Sequence, residues 1–162
     1  MEILDRILEL DDDRKNQLQY RGAKAVQYFM IADTQTAEQQ LGEIIGFVRQ
    51  TEADERLDGY EKHLYGGLLQ LLGSMKRDKS MLKESALQFH ALLLEDPWPK
   101  SGRAAIQREL GDSYRYADEW NQAEMAYRQA IALGGSDLDK VHVAGCLLYS
   151  KQIDAAATEI DP

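Results

Sequence analysis

The side chains best suited to chemistry are His142 and Cys146, which stand four residues apart, with Asp139 just before them. On a helix this spacing brings all three towards one face, where they could form a Cys–His nucleophile pair or part of a small metal site. Neither an oxyanion hole nor further ligands at suitable spacing accompany them in the sequence. We therefore expect these residues to serve helix packing or ligand contact rather than catalysis.

Other chemical motifs give no stronger signal. The strings HExxH, GxSxG and GxxxxGK[ST] do not occur in the chain, so the sequence predicts no enzyme, no metal site and no cofactor. The acidic run Asp11-Asp12-Asp13 could attract a cation or a basic partner. Because three consecutive helical residues do not face one point, we interpret the run as the cap and first turn of a helix.

The elements that must position these residues are predicted to be helices throughout. The chain has 162 residues, of which 44% are hydrophobic and 29% charged, with only three prolines. Alanine, leucine, glutamate, glutamine, lysine and arginine dominate, and no window shows the strict alternation of a strand. The fold class predicted is all-α.

Charge and hydropathy restrict the partners and the compartment. The net charge of −9 argues against a nucleic-acid partner. No apolar stretch approaches the roughly 20 residues of a membrane span, and the N-terminus is acidic rather than basic, so we expect no membrane partner. The single cysteine forms no internal disulfide, which favours a cytoplasmic location.

Small and large residues alternate at regular spacing between residues 104 and 133. The residues concerned are Leu110-Gly111, Tyr114, Ala123, Tyr127 and Ala130. Two antiparallel helices approach closely where glycine and alanine leave room, and tyrosines fill the gaps between them. Start and stop signals at Ser80, Ser136 and Gly134-Gly135 support further helices. The expected helices cover residues 66–77, 80–95, 102–117, 119–133, 136–150 and 152–160.

This pattern resembles the tetratricopeptide repeat (TPR), a 34-residue helix-turn-helix unit that builds right-handed α-solenoids. With one unit starting at Ala104, the next starts at Leu138 and carries Ala144-Gly145 at the matching positions. A preceding unit starts at Gly66 and carries Leu72-Gly73 at its seventh and eighth positions, and its phase requires a short insert within residues 98–103 before the next unit. The resemblance covers residues 66–162, with the last repeat incomplete. It departs from the family pattern at Lys76, Ser85 and Asp161.

Residues 1–65 are predicted to form a separate N-terminal helical region, which could include a degenerate repeat over residues 35–65. Two amphipathic helices are expected there, with their apolar residues in the core or an interface. The first carries Tyr20, Ala23, Val26, Tyr28, Phe29 and Ile31, and the second carries Leu41, Ile44, Ile45, Phe47 and Val48.

The resemblance implies a peptide-binding groove lined by the first helix of each repeat. Its fifth, ninth and twelfth positions correspond here to Gln70, Ser74 and Arg77, to Arg108, Asp112 and Arg115, and to His142, Cys146 and Tyr149. A solvated helix face with ordinary ion pairs would also explain this set. Because Asp112 would oppose a carboxylate ligand, a carboxylate clamp is disfavoured. A peptide with mixed charge and apolar anchors fits better, with Tyr116 as additional contact surface.

The function expected from the resemblance is that of a scaffold or adaptor that binds a protein or peptide partner. A secretion chaperone of the type III kind and an N-terminal sensor or regulatory segment of a larger protein are the alternatives. The final repeat stops at Asp161-Pro162 and leaves Val141, Leu147 and Ile153 without an obvious cover. We therefore expect either a longer natural chain or a second chain at this end, and a homodimer is one such arrangement.

Overall fold

The computed structural model describes residues 14–52, 57–95, 98–152 and Ala156. These residues form seven α-helices and no strand, as the composition predicts. The helices are α1 (Arg14–Met30), α2 (Thr34–Glu52), α3 (Gly59–Lys76), α4 (Lys79–Leu94), α5 (Lys100–Tyr116), α6 (Trp120–Ala132) and α7 (Asp137–Tyr149). From α4 onward every helix end lies within two residues of its expected position. The sixth expected helix, over residues 152–160, falls mostly outside the described residues.

Helix α3 begins seven residues earlier than the repeat register predicts, at Gly59 instead of Gly66. Its start is a capping box, in which the Asp58 carboxylate accepts a hydrogen bond from the Glu61 N–H at 2.8 Å. The Glu61 carboxylate in turn accepts one from the Asp58 N–H at 2.8 Å, so two free donors of the first turn are satisfied. The expected boundary between residues 65 and 66 therefore lies inside a continuous helix.

Packing follows the order of the chain. Every helix packs against the next one, and α1 also contacts α3, which contacts α5. The odd-numbered helices α1, α3 and α5 thus lie side by side along one face. No helix among the described residues has the length and hydrophobicity needed to cross a bilayer.

The contact between α5 and α6 confirms the expected small-to-large packing. A Cβ atom added to Gly111 would meet the Tyr127 ring at 2.7, 2.8 and 3.0 Å. Tyr127 is fully buried, as are Ala123 and Ala130 on the same helix. Glycine in α5 therefore allows α6 to approach until the tyrosine ring lies against the α5 backbone. Gly73 has the same role between α3 and α4, because a Cβ added there would lie 3.0 Å from Cγ of Leu82.

The N-terminal helices meet only part of the expectation. In α2 the predicted apolar residues Leu41, Ile44, Ile45 and Val48 are buried, and Phe47 is partly buried against them. In α1 the residues turned to the core are Leu18 and Ala25, which are 1% and 0% exposed. Near the end of α1, the expected residues Val26, Phe29 and Ile31 lie outside the core and are exposed on the described structure, as is Met30.

Two cap predictions differ in outcome. Ser136 precedes α7 as predicted, and its N–H donates to the Asp139 carboxylate at 2.7 Å. The cap of α4 is Asp78 and not Ser80, because the Asp78 carboxylate accepts the N–H groups of Ser80 and Met81. Gly134 adopts φ of +90° after α6, as the stop signal predicts.

The turn that follows α1 contains a strained residue, Ala32, which has φ of +61°. The Asp33 N–H donates to the Tyr28 carbonyl across this turn at 3.0 Å, in the arrangement where glycine is preferred because it has no Cβ. We expect Ala32→Gly to stabilise the protein by about 0.5–1 kcal/mol. Urea unfolding measures the change. Ala105→Gly, at an exposed position inside α5, should destabilise by about 1 kcal/mol, and equal effects from both variants would contradict the interpretation.

Candidate functional site

Five of the nine residues predicted to line a groove come together in one cleft. The cleft has a volume of about 590 Å³ and lies between the end of α3, the end of α5 and the side of α7. The predicted residues that line it are Ser74, Arg77, Arg115, His142 and Tyr149. They come from three different helices, so the fold, not the local sequence, brings them together.

The other four predicted residues serve contacts between helices. The Gln70 amide donates to the Glu109 carbonyl and to the Ser113 hydroxyl, both at 2.9 Å, and so ties α3 to α5. Arg108 donates to both carboxylate oxygens of Asp139, at 2.6 and 2.8 Å, and so ties α5 to α7. Gln70 and Arg108, the fifth positions of two predicted repeats, thus hold neighbouring odd-numbered helices together.

Asp112 and Cys146 are not among the residues that line the cleft. The Asp112 carboxylate accepts hydrogen bonds from the Tyr127 hydroxyl at 2.7 Å and from Arg115 Nη2 at 3.1 Å. Arg115 Nε also donates to the Tyr127 hydroxyl at 3.2 Å, which closes a three-membered network. Because both of these donors come from within the protein, the negative charge of Asp112 is compensated and does not line the cleft.

The thiol of Cys146 is 1% exposed and belongs to the apolar cluster around Tyr127 and Leu147. Burial raises the pKa of this thiol to about 11. At neutral pH the side chain is therefore a protonated, apolar packing element. No group of three or more metal-binding side chains occurs in the described part of the chain.

One wall of the cleft is aromatic. The rings of Trp120 and Tyr149 stack with centroids 4.4 Å apart and an angle of 9° between their planes. Tyr149 is 69% exposed, so the outer face of this stacked pair is open to solvent. Val141, 53% exposed, extends the apolar surface along α7. A flat or branched apolar group of a ligand could pack against this surface.

Cations also line the cleft. Arg77 ends α3 in the left-handed conformation, with φ of +54°, and its side chain is exposed. Lys79 begins α4 and pairs with Asp118 at 2.8 Å. The guanidinium carbon of Arg115 lies 4.4 Å from the centre of the Tyr116 ring. Cations and aromatic rings thus line the same cleft.

His142 contributes an unsatisfied polar atom. Its ring centroid lies 4.7 Å from that of Tyr127, and its Nδ1 is buried without a hydrogen-bond partner in the described structure. A buried nitrogen without a partner costs free energy that a bound donor, acceptor or water would recover.

The sequence reasoning did not assign five lining residues to the groove: Lys79, Asp118, Trp120, Val141 and Gly145. Lys79, Asp118 and Trp120 lie at the ends of α4 and α6 or in the turn before α6, whereas the repeat register assigns groove positions only to the first helix of each unit. The aromatic type of Trp120 is a signal in the sequence that could have indicated a place in the groove.

A second cleft, of about 450 Å³, lies further along the same face between α1, α3 and α5. It contains an ion pair in which His63 Nε2 is 2.7 Å from the Glu109 carboxylate. The edge of the His63 ring also faces Phe89, with centroids 6.0 Å apart.

The hydrogen bond to Glu109 raises the pKa of His63 above its usual value, although burial acts in the opposite direction. A raised native pKa means that protonated His63 stabilises the fold at pH below about 6.5, and that this contribution is lost as the pH rises through the native pKa. We expect the imidazole signals of His63 to titrate with a midpoint above 6.5 in two-dimensional NMR spectra. Glu109→Gln should lower the midpoint, and an unchanged midpoint in that variant would contradict the assigned cause.

Comparisons with protein-family models, with curated proteins and with solved structures find no match to this chain.

Proposed function

We propose that this protein is a TPR-like adaptor that binds a segment of another protein in the cleft between α3, α5 and α7. The observation that carries the proposal is the convergence of five register-assigned groove residues on one cleft. The spacing of small and large residues gives the register, the resemblance to the tetratricopeptide repeat supplies the groove positions, and helix packing forms the cleft. That five of the nine positions meet in this cleft favours a binding role for this surface.

Side chains of the cleft are held in place by contacts within the protein, which supports a role in binding a ligand. The base of the cleft is held by the network of Asp112, Arg115 and Tyr127, in which the arginine is already oriented by two hydrogen bonds. Its aromatic wall is a stacked pair, which restricts the rotation of Tyr149. Groups fixed before a ligand arrives lose little conformational entropy on binding. An extended or helical peptide is the class of ligand that a surface assembled from three helices accommodates.

Selection from a random peptide display library against the full chain tests the proposal. We expect enriched sequences whose affinity falls at least tenfold in Tyr149→Ala, since the exposed ring lies on the cleft wall. Met125→Ala is the matched control, because Met125 is 63% exposed on α6 and does not line this cleft. Absence of enrichment, or loss of binding only in Met125→Ala, would overturn the proposal.

A further inference from the structure

The charge of the cleft differs from that of the chain. The protein carries a net charge of −9, yet the permanently charged side chains that line the cleft are Arg77, Lys79, Arg115 and Asp118. Three cations and one carboxylate thus line the cleft of an otherwise acidic protein, and Arg115 is also paired with Asp112 outside the lining. Electrostatic complementarity favours an anionic ligand at this place and disfavours a basic one.

The three cations differ in whether they are already paired within the protein. Asp118 compensates Lys79 through an ion pair with an N–O distance of 2.8 Å, in which both side chains are more than half exposed. Arg77 has no carboxylate within ion-pair distance among the described residues. Arg115 uses two N–H groups for Tyr127 and Asp112, and a guanidinium has more donors than these. Arg77 and Arg115 therefore retain the capacity to donate to a ligand.

Asp112, which was expected to oppose a carboxylate ligand, is paired with Arg115 at 3.1 Å. Its Oδ1 accepts hydrogen bonds from both Tyr127 and Arg115, and the residue is not among those that line the cleft. The carboxylate thus orients Arg115 and offsets part of its positive charge.

Cations and an exposed ring stand in the same cleft. The open face of Tyr149, supported by Trp120 at 4.4 Å, offers stacking surface for a second ring. A ligand that contacts both the cations and the Tyr149 ring needs negative charge beside a flat apolar side chain. We infer that the partner segment is an acidic peptide with an aromatic residue flanked by carboxylates, which contact Arg77 and Arg115 while the ring lies on Tyr149. This inference rests on the proposed function.

Titration of the full chain with synthetic peptides, followed by two-dimensional NMR, tests the inference. The main probe is acetyl-Gly-Glu-Glu-Trp-Glu-Glu-Gly-amide. Three relatives carry glutamine for glutamate, lysine for glutamate, or alanine for tryptophan, and a fourth has a free C-terminal carboxylate. We expect the acidic tryptophan peptide to bind at least fivefold more tightly than the glutamine and alanine relatives and to shift the amides of Gly145 and Tyr149. Its affinity should fall as salt rises from 20 to 200 mM.

Variants locate the charge contact. Arg77→Gln should weaken binding of the acidic peptide about fivefold and leave the glutamine relative unchanged. Arg128→Gln removes the same charge from α6, outside the cleft, and should change affinity less than twofold. Tighter binding of the peptide with a free C-terminal carboxylate than of its amidated form would show that a chain terminus supplies the anion. Equal affinity of the two peptides would assign the anion to side chains.

Two results would overturn the inference. One is equal or tighter binding of the glutamine or lysine peptide in the cleft, which contradicts the acidic ligand while leaving the proposed function intact. The other is no shift of cleft amides by the acidic peptide at 2 mM, while peptides from the display selection do bind there. If neither the designed nor the selected peptides shift cleft amides, the proposed function itself fails.

Discussion

Replacement of Gly111 with valine is expected to destabilise the protein by about 2–3 kcal/mol. The Cβ alone would lie 2.7 Å from the Tyr127 ring, and the two methyl groups of valine need further space. The ring cannot move freely, because its hydroxyl is bonded to Asp112 and Arg115. The helices α5 and α6 must therefore separate, and the midpoint of urea unfolding should fall accordingly.

Gly67→Ala provides the control for this prediction. Gly67 also lies inside a helix, α3, but a Cβ at that position would meet nothing within 4 Å. Alanine there should stabilise the protein by about 0.5–1 kcal/mol, because it lowers the entropy cost of helix formation. Destabilisation of similar size in both variants would show that backbone preference, and not the Tyr127 contact, determines the effect at Gly111.

Replacement of Asp139 with alanine should cost about 3 kcal/mol of unfolding free energy. Asp139 is 0% exposed, and its carboxylate accepts hydrogen bonds from Arg108 and from the Ser136 N–H. The substitution removes the tie between α5 and α7 and the cap of α7 together. Asp137→Ala is the matched control two residues earlier: its side chain is 95% exposed and pairs only with Lys140 in the described structure, so we expect less than about 0.5 kcal/mol.

The contribution of Asp139 to the free energy of unfolding is expected to decrease as the pH falls. Arg108 holds the pKa of Asp139 below its usual value, with help from Ser136 and against the effect of burial. A lowered native pKa stabilises the fold above the unfolded value of about 3.9, and the contribution disappears as the pH falls through the native pKa. The difference in stability between the wild-type protein and Asp139→Ala should therefore be larger at pH 7 than at pH 3. A difference that grows on acidification would contradict the ion pair.

The sequence predicts the helix pair α5–α6 well because its determinants are local. Gly111, Ala123 and Tyr127 fall within one repeat length, and their sizes alone specify where two helices approach. The start of α3 was missed for a different reason. A register counted from Gly66 assigns the preceding residues to another region, although Asp58 and Glu61 already form a capping-box pattern in the sequence.

The candidate site was predictable only in part. A register assigns positions along each helix, but it does not specify how far neighbouring helices rotate, so Cys146 is buried while Tyr149, less than one turn later, is exposed. Arg108 pairs with Asp139, which lies 31 residues later in the chain. A register counted along one helix does not predict this contact. Similarly, the apolar residues at the end of α1 form a helix pattern in the sequence, whereas their exposure depends on tertiary packing.

The binding role of the α3–α5–α7 cleft is tested most directly by mapping a display-selected peptide onto the full chain by NMR. The account predicts shifted amides at Ser74, Arg115, Gly145 and Tyr149, with little change around a competing cleft of about 340 Å³ lined by His90, Leu94 and Met125 on α4 and α6. Shifts confined to the α4–α6 cleft would contradict the account and move the binding surface to the other side of α5.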